Sequence, residues 1–392
     1  MDSLYIAWKY ISYYRARTVT LVACVTLIAA LPLALELLLD ESEQQLLSRA
    51  DSTPLLLGAR GSALDLVMNS LYFDDEVPEL VSMRAADEID ASGLATPVPL
   101  YVRFRARGFS IVGTSMDYFD FRGLRIAQGR QLALLGECVI GAGVAERLGL
   151  APGDSLLSSP EVLFDLAGIY PLKMKVVGVL ARSYTPDDLA VLVDLKTTWV
   201  MQGLVHGHED VTRIKDDSVI MKRGDDNIVA NAKLMEHTEI TPENIDSFHL
   251  HGASDDYPLT AVLVQPNDER SGTILRGRYL DAETPYQLVV PGDVIDGLLA
   301  NIFRIKNVLD AVILLVGIAT ILALILVFAL SLRLRQREIR TVFRIGGSRS
   351  TIARLLAAEI AIILLVSGLF CALAMAVVNH HSHGLVRSLF VG

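Results

Sequence analysis

Seven of the eight histidines fall in three tight groups, a spacing that metal chemistry can use. His206 and His208 sit in HGHED, His249 and His251 in HLHG, and His380, His381 and His383 near the C-terminal end. On an extended strand, residues i and i+2 share a face, so each His-x-His pair can offer two imidazoles to one ion. Imidazole suits zinc, and three or four such ligands make a site. His206, His208, His249 and His251 are therefore candidate metal ligands; the alternative is four solvated loop histidines. A second run, ECVIGAGVAERLGL (137–150), carries the first two glycines of a dinucleotide fingerprint, Gly141 and Gly143. That fingerprint needs Gly or Ala at the third position, for close helix–strand packing. Glu146 stands there instead, and no second unit of this pattern follows. The run reads as a strand, a glycine turn and a short helix. No G-x-x-x-x-G-K-[ST], G-x-S-x-G or H-E-x-x-H run occurs, so no ATP hydrolysis or other catalysis by this chain is expected.

The elements around these residues are set first by hydropathy. Of 392 residues, 52% are hydrophobic and 20% charged, with a mean hydropathy of +0.42. The apolar excess is concentrated in three runs, 18–39, 308–332 and 355–378, each long enough for the roughly 20 apolar residues of a bilayer crossing. The first run exceeds the apolar core of a signal peptide and follows the amphipathic start SLYIAWKYISYYRART, so it reads as a retained anchor rather than a cleaved leader. Lys9, Arg15 and Arg17 precede it. Between the second and third runs lie Arg333, Arg335, Arg337, Arg340, Arg344, Arg349 and Arg354 against one acid, Glu338. Short basic segments stay in the cytoplasm. Residues 1–17 and 333–354 are thus inside, and 41–305 and the tail 379–392 outside. Glu36, Asp310 and Glu359 lie near span ends, where snorkelling to the headgroups costs little.

The fold class expected is an integral membrane α-helical protein with three spans and a large α/β extracytoplasmic domain between the first two. That domain, 41–305, carries 39 Asp and Glu against 23 Lys and Arg, which argues against a nucleic-acid partner. Cys24 and Cys371 lie in spans and Cys138 is alone outside, so no disulfide forms within the outer domain. PLYVRFRARGFSIVGTS alternates around Arg107-Gly108 as a hairpin does. LKMKVVGVLA and LTAVLVQP read as strands, GAGVAERLGL and DLKTTWVMQGL as helices. The acidic stretch 203–256 reads as an insertion or second lobe. PGDVIDGLLANIFRIKNVLDAV opens with a helix start signal and continues into the second span, joining it to the outer domain.

Taken together, REIRTVFRIGGSRSTIARLLAAE (337–359) resembles the cytoplasmic signature of FtsX/MacB/LolC-type ABC transporter permeases. YFDFRGLRIAQGRQL and VIGAGVAERLGLAPGDSL, within 118–156, are similar to the periplasmic core domain of that family, and AWKYISYYRARTVTLV to its entry helix. The resemblance is thin over 200–300. It implies a permease subunit, not an enzyme, in the inner membrane. A partner ABC ATPase would supply ATP hydrolysis, and a second permease copy or a paralogue would complete the assembly. A periplasmic binding or adaptor protein and membrane lipid are further implied contacts. The resemblance assigns ATPase coupling to Arg337, Glu338, Ile339, Arg340, Phe343, Arg344, Gly346, Gly347 and Glu359. The spacing suits this: Arg337, Arg340 and Arg344 share one helix face. The expected work is export, extraction or mechanotransmission at the envelope. Alternatives are a zinc- or metal-linked transport component, a membrane-anchored binding or sensor protein, and an FtsX-like regulator of cell-wall hydrolases. One departure stands out: the family usually has four spans, and 379–392 is too short for a fourth.

Overall fold

In lipid, a run of Leu, Ile, Val and Ala must satisfy every backbone polar group internally, and a helix does so. The computed structural model describes residues 2–159, 171–207, 220–223, 228–230, 239–250, 253–281, 283–334, 344 and 348–390. Its helices are α1 (Asp2–Tyr13), α2 (Arg15–Asp51), α3 (Ala63–Tyr72), α4 (Arg84–Ala91), α5 (Asp117–Arg122), α6 (Ala142–Leu148), α7 (Leu195–Met201), α8 (Glu269–Arg278), α9 (Pro291–Leu334) and α10 (Arg349–Phe390). The chain divides into two units, one of Met1–Leu46 with Leu299–Gly392, the other of Leu47–Leu298.

In the first unit, Thr18–Asp51 and Ala353–His380 are long and apolar enough to cross a membrane. Their large side chains are open, with Leu27 at 67%, Leu31 at 65%, Leu365 at 74% and Leu369 at 71% exposure, whereas the core helix of a soluble protein buries such residues. The 308–332 run lies in α9; the apolar helical stretch found there among the described residues is the shorter Asp310–Ala323. Ile11, Leu21 and Ile363 form a small core joining α1, α2 and α10. Thr26 Oγ1 donates to the Ser367 carbonyl and Ser367 Oγ to the Val22 carbonyl, both at 3.4 Å. Small hydroxyl residues of this kind let apolar helices approach closely. Helix α10 continues to Phe390, so 379–390 is helical.

The second unit is built on a mixed sheet. Its strands, with the short accessory ones, are β1 (Leu55–Ala59), β2 (Val81–Ser82), β3 (Ala95–Ala106), β4 (Phe109–Thr114), β5 (Ile126–Gly129), β6 (Glu137–Ile140), β7 (Ser155–Leu157), β8 (Lys173–Leu180), β9 (Ala190–Asp194), β10 (Val205–Gly207), β11 (Ile220–Arg223), β12 (Ile228–Ala230), β13 (Phe248–Leu250), β14 (Pro258–Leu259), β15 (Ala261–Pro266) and β16 (Tyr286–Val289). The ten-stranded sheet runs β16-β1-β15-β3-β4-β9-β6-β8-β5, with β7 beside β8. The β4–β9 and β6–β8 pairs are parallel and the others antiparallel. Central strands β6, β9 and β15 are short apolar runs buried on both faces, as such strands must be.

The expected hairpin is β3–β4, turned by Arg107 and Gly108 with φ of 50° and 88°. Two positive φ values make the turn that matches strand twist. LKMKVVGVLA forms β8 and LTAVLVQP forms β14 and β15. Within 203–256, the described strands pair only with each other, β10 with β13 and β11 with β12, apart from the main sheet. Cys138 is fully buried in β6, and burial pushes its thiol up to about 12, so it is inert.

Helix α7 covers β3 and β4. Trp199 Nε1 donates to the Pro258 carbonyl at 3.0 Å, and its ring meets Tyr257 edge-on at 4.7 Å. Thr198 fills the space over Gly113, where an added Cβ would stand 2.7 Å from Thr198 Oγ1. Gly113→Ala should therefore destabilise the protein by about 1–3 kcal/mol through overpacking. Thr198→Ala in the same chain should recover part of the loss. Thermal unfolding of the two variants in lipid nanodiscs checks this, and a Gly113→Ala midpoint equal to wild type would refute the packing argument.

Candidate functional site: the anchor of the first membrane helix

The sequence RADSTP stops α2. Ser52 Oγ and Thr53 Oγ1 donate back to the Arg49 carbonyl at 2.8 and 3.1 Å, and Pro54 disfavours helix in the residue before it. The last turn of a helix that begins at Arg15 thus ends inside the second unit. There Arg49, only 5% exposed, is the focus of a polar network. Its Nη1 donates to Asp187 Oδ2 at 2.5 Å, and its Nη2 to Asp187 Oδ1 at 3.1 Å and to the Tyr118 hydroxyl at 3.0 Å. Its Nε donates to the Leu71 carbonyl at 2.5 Å, in the last turn of α3, where carbonyls lack helical partners. The guanidinium also lies 5.4 Å from the centre of the Phe73 ring.

Each partner is positioned by local sequence. Tyr118 and Arg122 lie four residues apart on α5, on one face. The helix is closed by Gly123 in the left-handed conformation. Asp187 comes from the one-turn helix Pro186–Leu189. Its neighbour Asp188 shapes that loop by accepting from the Ser183 and Tyr184 amides at 2.8 and 2.9 Å. Asp187 also accepts from the Tyr118 hydroxyl at 2.7 Å and from Thr185 Oγ1 at 2.9 Å. Its two oxygens therefore meet four donors. Burial alone would raise the Asp187 carboxyl, but the Arg49 charge and these hydrogen bonds hold it below the usual carboxylate range. Burial, then the charge of Asp187, pushes Tyr118 up to about 12, so its hydroxyl stays a donor.

The glycines of ECVIGAGVAERLGL serve this site. Gly141 caps the N-terminus of α6, and a Cβ there would collide with the Asp187 and Asp188 carbonyl oxygens. A Cβ on Gly143 would collide with Leu189. The glycines let α6 sit directly against the turn that carries Asp187, which is a packing role with no nucleotide in it. The second helix to leave this unit starts close by. A Cβ on Gly292, the second residue of α9, would stand 3.0 Å from Asp51 Oδ1, and Ile295 is fully buried. An acid beside a helix start suits its dipole.

Of the residues with sequence-assigned roles, Arg344 is exposed and helical, and Glu359 is buried in α10 at 4% exposure rather than snorkelling outward. Glu36 and Asp310 are exposed. Arg337, Glu338, Ile339, Arg340, Phe343, Gly346 and Gly347 lie outside the described residues. The β10–β13 register sets His206 directly opposite His249, while His208 and His251 lie outside the described residues. Among the described residues no group of three or more His, Cys, Asp or Glu is placed to hold a metal. Sequence reading missed Arg49 and Asp187 altogether.

A family model described as the MacB-like periplasmic core domain matches residues 22–239. No curated protein matches the chain. Among solved structures, the periplasmic region of MacB from Actinobacillus actinomycetemcomitans is similar at 13% identity and a TM-score of 0.35, covering 66% of this chain and 99% of that one. The extracellular domain of the noncanonic ABC-type transporter YknZ from Gram-positive bacteria is similar at 13% identity and a TM-score of 0.32, covering 60% of this chain and 98% of that one.

Because Arg49 and Asp187 are both buried, removing the Asp187 charge strands Arg49, at a cost of about 3–5 kcal/mol. Asp187→Asn should lower the thermal midpoint of the full chain at pH 7. The sign of the pH effect follows from the depressed carboxyl. Its stabilisation is complete above the unfolded value of about 4 and is lost as pH falls through the lower folded value. The gap between wild type and Asp187→Asn should be constant from neutral pH down to about 5 and close below about 4. A gap that stayed constant through the acid range would show that Asp187 is not the titrating group.

Proposed function

The chain belongs to the MacB-like periplasmic core domain family, with the general role of an ABC transporter permease subunit coupled to a partner ATPase, and on that premise we propose that it transmits ATP-driven movement to its outer domain along α2 and α9. It is a membrane-embedded protein with a large extracytoplasmic domain, and the ATPase activity resides on a separate subunit. The observation that carries the proposal is the Arg49 anchor. A membrane helix whose last turn is fixed to the core of the outer domain by a bidentate ion pair can pull on that domain instead of sliding past it.

In this reading 308–332 is a third crossing, and the basic 333–354 segment is the surface the ATPase grips. Arg337, Arg340 and Arg344 supply the charges for that grip, with Ile339 and Phe343 as apolar contacts and Gly346-Gly347 beside them in the sequence. Two copies, or one copy and a paralogue, surround the ATPase dimer. The outer domain meets a binding or adaptor protein, and the work is export, extraction or mechanotransmission. A membrane-anchored sensor would not need the basic segment to hold an ATPase, whereas an FtsX-like regulator would bind a cell-wall hydrolase or its activator through the outer domain. Arg344→Glu with Gly346→Leu should abolish co-purification of the ATPase from membranes while the chain still inserts and folds. Undiminished association would overturn the coupling role.

A second reading is a metal-linked transporter, and the specific support for it is the register that sets His206 opposite His249. Directly opposed residues on antiparallel strands have Cβ atoms about 4.5–5.5 Å apart, a separation two ligands of one ion can share. His208 and His251 follow each at a spacing of two. Calorimetric titration of the full chain with zinc should show micromolar or tighter binding, lost when His206, His208, His249 and His251 are changed to Ala and kept when His380, His381 and His383 are. Absence of binding, or binding unaffected by the first change, would return these histidines to the surface.

A further inference from the structure

The anchor contains a charge that its resting arrangement does not use. Arg122, at the end of α5, donates from Nη1 to Ser52 Oγ at 3.1 Å. Its Nε and Nη2 are buried and have no hydrogen-bond partner among the described residues. Its guanidinium lies 4.8 Å from the centre of the Phe121 ring and 5.9 Å from that of Tyr118. It is a neighbour of the same Asp187 and Tyr118 that bind Arg49. Burial, and next the Arg49 charge, lowers its pKa, while Tyr118 and Asp187 act in the opposite sense. Arg122 thus lies beside the Tyr118 ring whose hydroxyl binds Asp187, and Arg49 holds both oxygens of that carboxylate.

We propose that Asp187 is a two-position acceptor, bound to Arg49 in the arrangement seen here and passed to Arg122 when α2 is displaced. This rests on the reading of α2 as the moving element. The physical argument concerns the cost of release. Withdrawing Arg49 alone would leave Asp187 as a buried, unpaired carboxylate, which is the expensive way to break such a pair. Arg122 belongs to the outer domain and stays behind. It carries two idle donors, and the Tyr118 and Thr185 hydroxyls can stay on Asp187 through the exchange. With Arg122 in place, release of Arg49 does not create a lone buried charge, and the unused donors of Arg122 gain an acceptor. A lock becomes a latch.

A double-mutant cycle on the full chain in lipid nanodiscs, read by thermal midpoint, tests the exchange. Arg122→Met alone should shift the midpoint by no more than about 2 °C, since Arg122 is underused at rest. Arg49→Met should lower it, and the double variant should fall below the sum of the two by about 4 °C or more, because Asp187 then has no cation. The excess should vanish when Asp187→Asn is added. Should Arg49→Met prevent folding, the same cycle with Arg49→Lys, which keeps charge but not the fork, carries the test. Additivity within about 1 °C, or a large loss from Arg122→Met alone, would overturn the exchange and mark Arg122 as a packing residue of α5. Either result leaves the permease reading standing, since that reading is decided by ATPase association.

Discussion

Burying a charge is costly unless it is paired and hydrogen-bonded, and the Arg49–Asp187 contact imposes that condition on its surroundings. Tyr118 and Thr185 complete the carboxylate, and the open carbonyl at the end of α3 takes the Nε donor of the guanidinium. Gly141 and Gly143 permit α6 to press against the turn that carries Asp187. Ser52 and Thr53 end the helix that carries Arg49. An apolar pair could have held the same elements together with equal or greater stability. What an ion pair adds is position, because a forked guanidinium on a carboxylate allows one geometry and an apolar contact allows many.

That property suits a chain whose membrane and outer parts must act together. Helix α2 runs 37 residues, about 55 Å of continuous hydrogen-bonded backbone at 1.5 Å per residue. Pro32 interrupts it once by withholding a backbone donor. At one end its apolar residues are open as lipid-facing residues are, and at the other its last turn is part of the outer core. Helix α9 likewise carries a fully buried residue, Ile295, near its start and extends to Leu334. In the proposed reading, α2 and α9 carry movement to the domain, and the last turn of α2 holds a named pair of side chains.

Much of this was legible in the residues themselves. Two of the three apolar runs, 18–39 and 355–378, announced membrane-length helices because composition decides what can sit in lipid, and Arg107-Gly108 announced the β3–β4 hairpin because few residue pairs make that turn. The glycine run was legible as strand, turn and helix, but its purpose was not: the surface its glycines admit comes from residues 187–189, and no local pattern connects the two. Arg49 was invisible for the same reason. A lone arginine at the end of a helix reads as solvated, and its partner lies 138 residues away in a turn that reads as polar loop. The pairing of His206 with His249 was not legible and needed the β10–β13 register.

The central claim is that the last turn of α2 carries movement to the outer domain and that its Arg49–Asp187 contact is released and remade as it does so. Hydrogen exchange at the backbone amides of residues 47–53, measured on the full chain with its partner ATPase in lipid nanodiscs, tests it most directly. The account predicts strong protection without nucleotide and a clear loss of protection during ATP turnover, absent when the ATPase is catalytically dead. Equal protection in all three conditions would contradict it, because the anchor would then be a static brace and the domain would have to move by another route.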